Sequence, residues 1–566
     1  MQTARRLYVY LMSGVTLGIL LVGLNSLLTV GLHAAGIGRG RLAGGTQADR
    51  EQLSLAIALI VVGLVVWGIH WLVVERSLRA ENPSRDHERG SAVRALYLTI
   101  VLTVLLAFGV IAGIQLLETI SRRLLFGSGD VEGGFVFGQD LGSSLATLLV
   151  TGMAWTYHAA IRRRDLGGAA LDGAAAWIPR VYLYGAALLG LVLTAVNLGT
   201  LLSSALAAAA GDLPAGDESD FRRRVLADAV AGVIGWGVVL LGHWWYATSL
   251  TRDPGWRGTS ERGARLRLAY LVGAVAASAI AVIVFGAQAL STSLGLALGV
   301  EDLITNDVAL LSIGGPLVSM LPWIAAWLLH LRWMRAEAMA ADDTGRMATV
   351  DRLDAYAVSL IGLGAAAGGV AGLLGLLLDG ILGGNRADLD FWRADVARFL
   401  AIGAIGTVLW LWHWTRVQRR SSDAPAVEAV STLRRAYLLI VVAASLITTL
   451  GTLAYLLYRL VSAILQVDSS DNVASAVAMP LAALLVAAAV AIYHALVLRG
   501  DQALRAATAA EAPIVETETA AADVQHPARR TLVLSGPPGA DLDTTVAAMR
   551  AALGPELRLE EELPEA

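Results

Sequence analysis

"RRLYVYLMSGVTLGILLVGLNSLL" at residues 5–28, followed by "VVGLVVWGIHW" at 61–71, decides the fold. The first stretch enters on Arg and Tyr, runs apolar for about 20 residues, and is long enough as a helix to cross a ~30 Å hydrocarbon core. The second returns through an equally apolar run and leaves on Trp and His. Such a pair is a transmembrane hairpin. The same entry recurs in "RALYLTI" (94–100), "PRVYLYG" (179–185), "RLAYLVG" (267–273), "RLDAYAV" (352–358) and "RRAYLLI" (434–440). The same exit recurs in "WTYHA" (155–159), "LLGHW" (240–244), "WLLHL" (327–331), "WLWHW" (410–414) and "AIYHA" (491–495). Six hairpins follow one another, which is the mark of an internal repeat.

The repeated tyrosines read as Tyr8, Tyr97, Tyr182, Tyr270, Tyr356 and Tyr437, and the histidines as His70, His158, His243, His330, His413 and His494. Six of the nine histidines therefore hold one repeated position. The apolar runs predict twelve spans, at 7–32, 53–74, 95–117, 141–161, 180–208, 225–247, 268–299, 308–331, 355–383, 396–415, 436–466 and 473–498. The first run lacks a small-residue cleavage site and reads as a span rather than a removed leader. The expected fold is all-α: a polytopic bundle of six parallel two-helix repeats. Their bounds are 1–92, 93–177, 178–264, 265–349, 350–430 and 431–505. A polar Ala/Thr/Glu-rich linker (506–528) and a small strand–turn–helix tail (529–566, "RRTLVLSGPPGAD…") should follow.

Composition agrees. The chain has 566 residues, 56% of them apolar and 16% charged, with a mean hydropathy of +0.62. Soluble domains carry about 45–50% apolar and about 25% charged residues, so a water-soluble enzyme is excluded. Cysteine is absent and all 43 basic residues are Arg, which removes disulfides, thiolate sites, Schiff bases and the Walker lysine. The tail's "SGPPGAD" lacks the Gly-Lys-Ser/Thr of a phosphate loop. A net charge of −4 does not point to nucleic acid. The N-terminus, the linkers between repeats and the stretch up to Arg505 hold 27 of the 43 Arg, so that side is assigned to the cytoplasm, with both termini inside.

Three readings of the histidine row stay open. Trp, Tyr and His at span ends serve as amphipathic anchors. Histidine also relays protons, and it ligates haem or another tetrapyrrole. The anchor or structural reading is favoured, because each His lies at the end of its span. A Tyr at the same depth is a natural hydrogen-bond partner for it. Deeper polar groups are few: Asn25, Gln115, Asn197 and Gln288. Interhelical hydrogen bonding is their commoner use, ahead of lining a path. Glu118, Asp379 and Arg459 lie near the outer helix ends rather than at the midplane, which argues against a proton-driven carrier. Acidic residues of the outer loops read as helix caps and solvated charge, ahead of cation binding. In the fifth repeat, Gly364, Gly368 and Gly372 follow GxxxG spacing and suit close helix packing.

The Arg-x-x-Tyr entry and Trp-x-x-His exit resemble a bacterial multi-spanning membrane family, domain of unknown function 5671 (DUF5671), over roughly residues 5 to 500. Trp-x-x-His is kept in repeats one, two, four and five; the third has Trp236 further upstream and the sixth has Ala491. The resemblance implies an integral bacterial membrane protein and brings no activity with it. The expectation is a non-enzymatic scaffold, partner-binding or sensory component of the bacterial plasma (inner) membrane. Its partners would be the lipid bilayer and other membrane proteins. A transporter or channel is the second reading, and a tetrapyrrole-binding redox protein the third.

Overall fold

The computed structural model describes residues 2–38, 46–79, 85–126, 141–166, 173–210, 217–300, 306–340, 344–382, 389–464 and 473–511. Twelve long helices among them form six consecutive hairpins: α1 (Gln2–Ala34) with α2 (Thr46–Ser77), α4 (Ala92–Phe126) with α5 (Leu141–Leu166), and α6 (Gly173–Ala209) with α7 (Asp217–Thr251). The remaining three are α9 (Arg265–Ala297) with α10 (Asn306–Ala340), α11 (Thr344–Ile381) with α12 (Leu389–Asp423), and α14 (Thr432–Ile464) with α15 (Val473–Glu511). Even α5, the shortest at 26 residues, is about 39 Å long at 1.5 Å per residue.

Eleven of these helices are long and apolar enough to cross a membrane. The other is α5, and its polarity has a physical reason. Ser144, Thr147, Thr151 and His158 are all buried against protein. Thr147 and Thr151 hydroxyls also donate back to the carbonyls of Ser143 and Thr147, which removes their need for water. These four polar side chains of α5 therefore face inward, and the helix completes the second hairpin. On the outside, Ile447, Val238, Leu241 and Val408 are among many large apolar side chains left exposed, as lipid contact requires.

The six hairpins are organised in pairs. Three short helices link them: α3 (Arg85–Arg89) between the first and second hairpins, α8 (Trp256–Arg262) between the third and fourth, and α13 (Pro425–Ala429) between the fifth and sixth. The unit of construction is thus four long helices plus one linker helix, occurring three times. Units join in one way: α4 packs on α6 and α7 of the next unit, and α9 packs on α11 and α12.

Small residues set the closest approaches, though not always those picked by GxxxG spacing. A Cβ on Gly369 would lie 2.3 Å from the Gly403 backbone, and one on Gly406 would lie 2.3 Å from the Ala366 nitrogen, so α11 and α12 touch backbone to backbone. Gly372 meets the Phe399 ring, whereas Gly364 and Gly368 have open space around them. Both face a cleft of about 320 Å³ bounded by α11, α14 and α15. The chain from Ala509 onward forms a separate unit, and the predicted strand–turn–helix at 529–566 lies outside the described residues, as do most of the acidic outer loops.

Candidate functional site

Each linker helix delivers one glutamate into the bundle: Glu88, Glu261 and Glu428, with 7%, 4% and 3% exposure. A carboxylate at that burial needs partners for its charge and its lone pairs. In the first unit Glu88 accepts from Arg6 Nε at 2.8 Å and from the Tyr10 hydroxyl at 2.7 Å. That hydroxyl accepts in turn from Arg94 Nη1 at 3.1 Å. Arg94 also donates through Nε (2.7 Å) and Nη2 (3.3 Å) to the two oxygens of Asp165, a fork-to-fork pair with neither side chain exposed. The second unit repeats the chain of contacts. Arg180 Nε (2.9 Å) and the Tyr184 hydroxyl (2.5 Å) donate to Glu261, Arg267 Nη1 donates to Tyr184 (3.2 Å), and Arg267 forks onto Glu337. In the third unit Arg352 Nη2 donates to Glu428 (2.7 Å) and Arg434 Nε to Asp501 (2.6 Å), while Arg434 Nη1 goes to Gln418 (3.3 Å).

One layer deeper, each unit stacks four rings. Trp71 lies 5.8 Å from Tyr97 and 6.0 Å from His158, and Tyr97 lies 5.1 Å from Tyr10. Trp244, Tyr270, His330 and Tyr184 take the same places, as do Trp414, Tyr437, His494 and Tyr356. The indole N–H of Trp71 donates to Tyr157 at 2.7 Å and that of Trp414 to Tyr493 at 2.8 Å. In the second unit Trp333 packs on Trp244 instead, at 4.7 Å.

All six predicted histidines hold their ring in one way. Each Nδ1 lies 2.7–2.9 Å from the carbonyl four residues back. A carbonyl only accepts, so Nδ1 carries the proton and Nε2 presents a lone pair in the neutral ring. Tyr270 donates to His330 Nε2 at 3.0 Å. Trp155 donates to the Tyr182 hydroxyl at 2.9 Å, and that hydroxyl donates to His243 Nε2 at 3.1 Å. His158, His330 and His494 are 1–2% exposed and His243 and His413 are also buried, so these rings sit inside the bundle rather than at a wet rim. His70 is half-buried beside Tyr8, ring to ring at 5.7 Å.

The tyrosine row divides in two. Tyr97, Tyr270, Tyr356 and Tyr437 enter the buried stacks, but Tyr8 is 57% exposed, and the true counterparts of Tyr356 are Tyr10 and Tyr184. Tyr8 and Tyr182 stand two residues earlier, where the third unit has Asp354. Of the deep amides, Asn25 accepts from Thr147 of α5 at 3.1 Å and Asn197 donates to the Leu193 carbonyl at 2.7 Å. Gln115 is buried, and Gln288 receives the Thr292 hydroxyl on its backbone carbonyl. The four lie on separate helices and are not brought into one site.

What the Arg-Tyr reading missed was the other half of each cluster: Tyr10 and Tyr184, Trp71, Trp244 and Trp414, the three linker glutamates, and Asp165, Glu337 and Asp501. Their spacing carries a signal. Glu precedes its Arg by six residues in Glu88–Arg94, Glu261–Arg267 and Glu428–Arg434, and a carboxylate follows the second His by seven at Asp165, Glu337 and Asp501. Among the described residues no group of three or more His, Asp or Glu side chains converges as a metal site.

No match was found among curated proteins or among solved structures. The family model described as "Domain of unknown function (DUF5671)" matches residues 6–128, 180–325 and 352–512. The three matches begin on Arg6, Arg180 and Arg352, the same residue of the three structural units, and together they span most of the chain. With one copy of the match to each four-helix unit, this integral membrane protein belongs to the DUF5671 family.

Proposed function

We propose that the protein is a non-enzymatic scaffold of the bacterial inner membrane, on whose helical surfaces other membrane components dock, with both termini in the cytoplasm. The observation that carries this reading is the use to which the buried charges are put. In all three units the linker-helix glutamate pairs with an arginine of a long helix, and a second buried arginine pairs with a carboxylate of another long helix at the same end of the bundle. A carrier concentrates such groups near the midplane, where they face a substrate path. Here the amide Asn25 accepts from Thr147 of a neighbouring helix, and Asn197 donates back to the Leu193 carbonyl of its own helix. The rings of His158, His330 and His494 each pack against a Trp ring at 5.5–6.0 Å, which supports a packing role.

Purified protein in liposomes is expected to carry no proton or alkali-cation flux above that of empty vesicles, and its spectrum to show no Soret band. A flux lost on Asn197→Leu would replace this reading with a transporter. Orientation rests on the arginine bias. An impermeant thiol reagent on intact cells should label Ser219→Cys and leave Ser84→Cys unlabelled, and the reverse pattern would turn the molecule over.

A further inference from the structure

The junction between the first and second units holds a slot of about 650 Å³, within the about 300–1,000 Å³ range of small-molecule sites. Helices α4, α5, α6 and α7 wall it. From Leu117 and Gly113 through Gly109 and Leu106 its lining is apolar, and at the linker-helix end it meets Arg162, Arg163, Tyr182 and His243. Its two ends therefore ask for different chemistry in one ligand.

Arg162 is the unusual group. It is 7% exposed, its Nε has no hydrogen-bond partner among the described residues, and its single polar contact is a long one, Nη2 to the Ala175 carbonyl at 3.4 Å. The carboxylate nearest in sequence, Asp165, is committed to Arg94. Glu261, which lines the same end, is held by Arg180 and Tyr184. Arg163 lies over the Tyr246 ring at 5.5 Å. A buried guanidinium that shares its nearest carboxylate with another arginine is costly, and an anion entering the slot lowers that cost.

The repeat supplies an internal comparison. His158 and His330 are equivalent, so Arg162 corresponds to Met334 in the second unit. Met334 is 2% exposed and packs into the largest apolar cluster, against Trp244 and Val350. Where the buried cation is absent, side chains fill the space.

We propose that this slot binds one anionic phospholipid, its phosphate on Arg162 and Arg163 and an acyl chain along Gly109, Gly152 and Gly242. Arginine forks match phosphate oxygens, and basic pockets between membrane helices are the usual seats of acidic lipid headgroups. The apolar length of the slot selects a diacyl lipid over free phosphate. This inference stands apart from the scaffold reading, because a carrier would hold the lipid equally well.

Native mass spectrometry of the full-length protein in detergent, titrated with phosphatidylglycerol, phosphatidylcholine of the same chains, or oleate, tests it. Wild type should retain one phosphatidylglycerol in preference to phosphatidylcholine by about tenfold or more, because choline brings a fixed positive charge beside the two arginines while the glycerol headgroup leaves the phosphate's charge uncancelled. Arg162→Met, which copies the second unit, should lose that preference. Gly242→Leu should lose the bound lipid with Arg162 intact, since its Cβ enters open space in the slot. Gly451→Leu, at an equally open glycine away from the slot, should keep it. Equal retention of both phospholipids by wild type, a preference surviving in Gly242→Leu, or oleate bound in place of phospholipid would overturn the proposal. If Arg162→Met does not fold, the two glycine variants decide the matter alone.

Discussion

Replacing Arg94 with Met should destabilise the protein by about 3–5 kcal/mol, the usual cost of stripping one partner from a buried ion pair. Neither Arg94 nor Asp165 exposes any side-chain surface, so the orphaned carboxylate has no water to turn to. Met keeps the length and apolar bulk of the stem, which confines the loss to the charge and its hydrogen bonds. Three bonds go at once: two to Asp165 and one to the Tyr10 hydroxyl. Changing Asp165 to Leu in the same chain removes the orphan and should restore most of the loss, because a buried pair exchanged for apolar groups is often neutral. Denaturant titration in micelles, followed by Trp fluorescence, reads both steps. A loss under about 1 kcal/mol, as for solvated pairs, would mean that water reaches Asp165.

Trp414→Ala should cost about 3 kcal/mol, at the low end of the range for deleting a buried Trp. The low end applies because, in a membrane, packing rather than release from water drives association. Trp414 is 3% exposed, stacks on Tyr437 at 5.2 Å and 28°, and donates to Tyr493. The cavity would open at the place where α12 meets α14 and α15. Trp414→Phe keeps most of the ring and drops the N–H, so its cost should be near the ~1 kcal/mol of one hydrogen bond. If Phe costs as much as Ala in the same titration, the bond to Tyr493 and not the stack holds the site.

Much of the architecture is legible in the sequence. Hydropathy marks the hairpins, because lipid demands continuous apolar runs, and the six histidines share one ring geometry. The pairing of hairpins into three units was not legible by the same means. It depends on linker helices of five to seven residues, too short for hydropathy to register. The tyrosine register slipped for a related reason. Arg-x-x-Tyr fits Arg94 and Tyr97, but the odd hairpins use Arg-x-x-x-Tyr, as in Arg6 and Tyr10, and the outward Tyr8 lies between them. Burial separates Tyr8 from Tyr10; residue type does not. Likewise GxxxG spacing chose Gly364 and Gly368, whereas helix rotation puts Gly369 and Gly403 at the contact.

One ionic latch occurs three times, with the same work to do in each unit. Its most direct test is the coupling energy of three double-mutant cycles: Arg94→Met with Asp165→Leu, Arg267→Met with Glu337→Leu, and Arg434→Met with Asp501→Leu. The pairs lie in separate units with no partner in common, so their effects should add within about 0.5 kcal/mol, while each cycle shows a coupling of at least about 1.5 kcal/mol. Coupling confined to one unit, with the other two pairs silent, would contradict the threefold account and mark that unit as a specialised site.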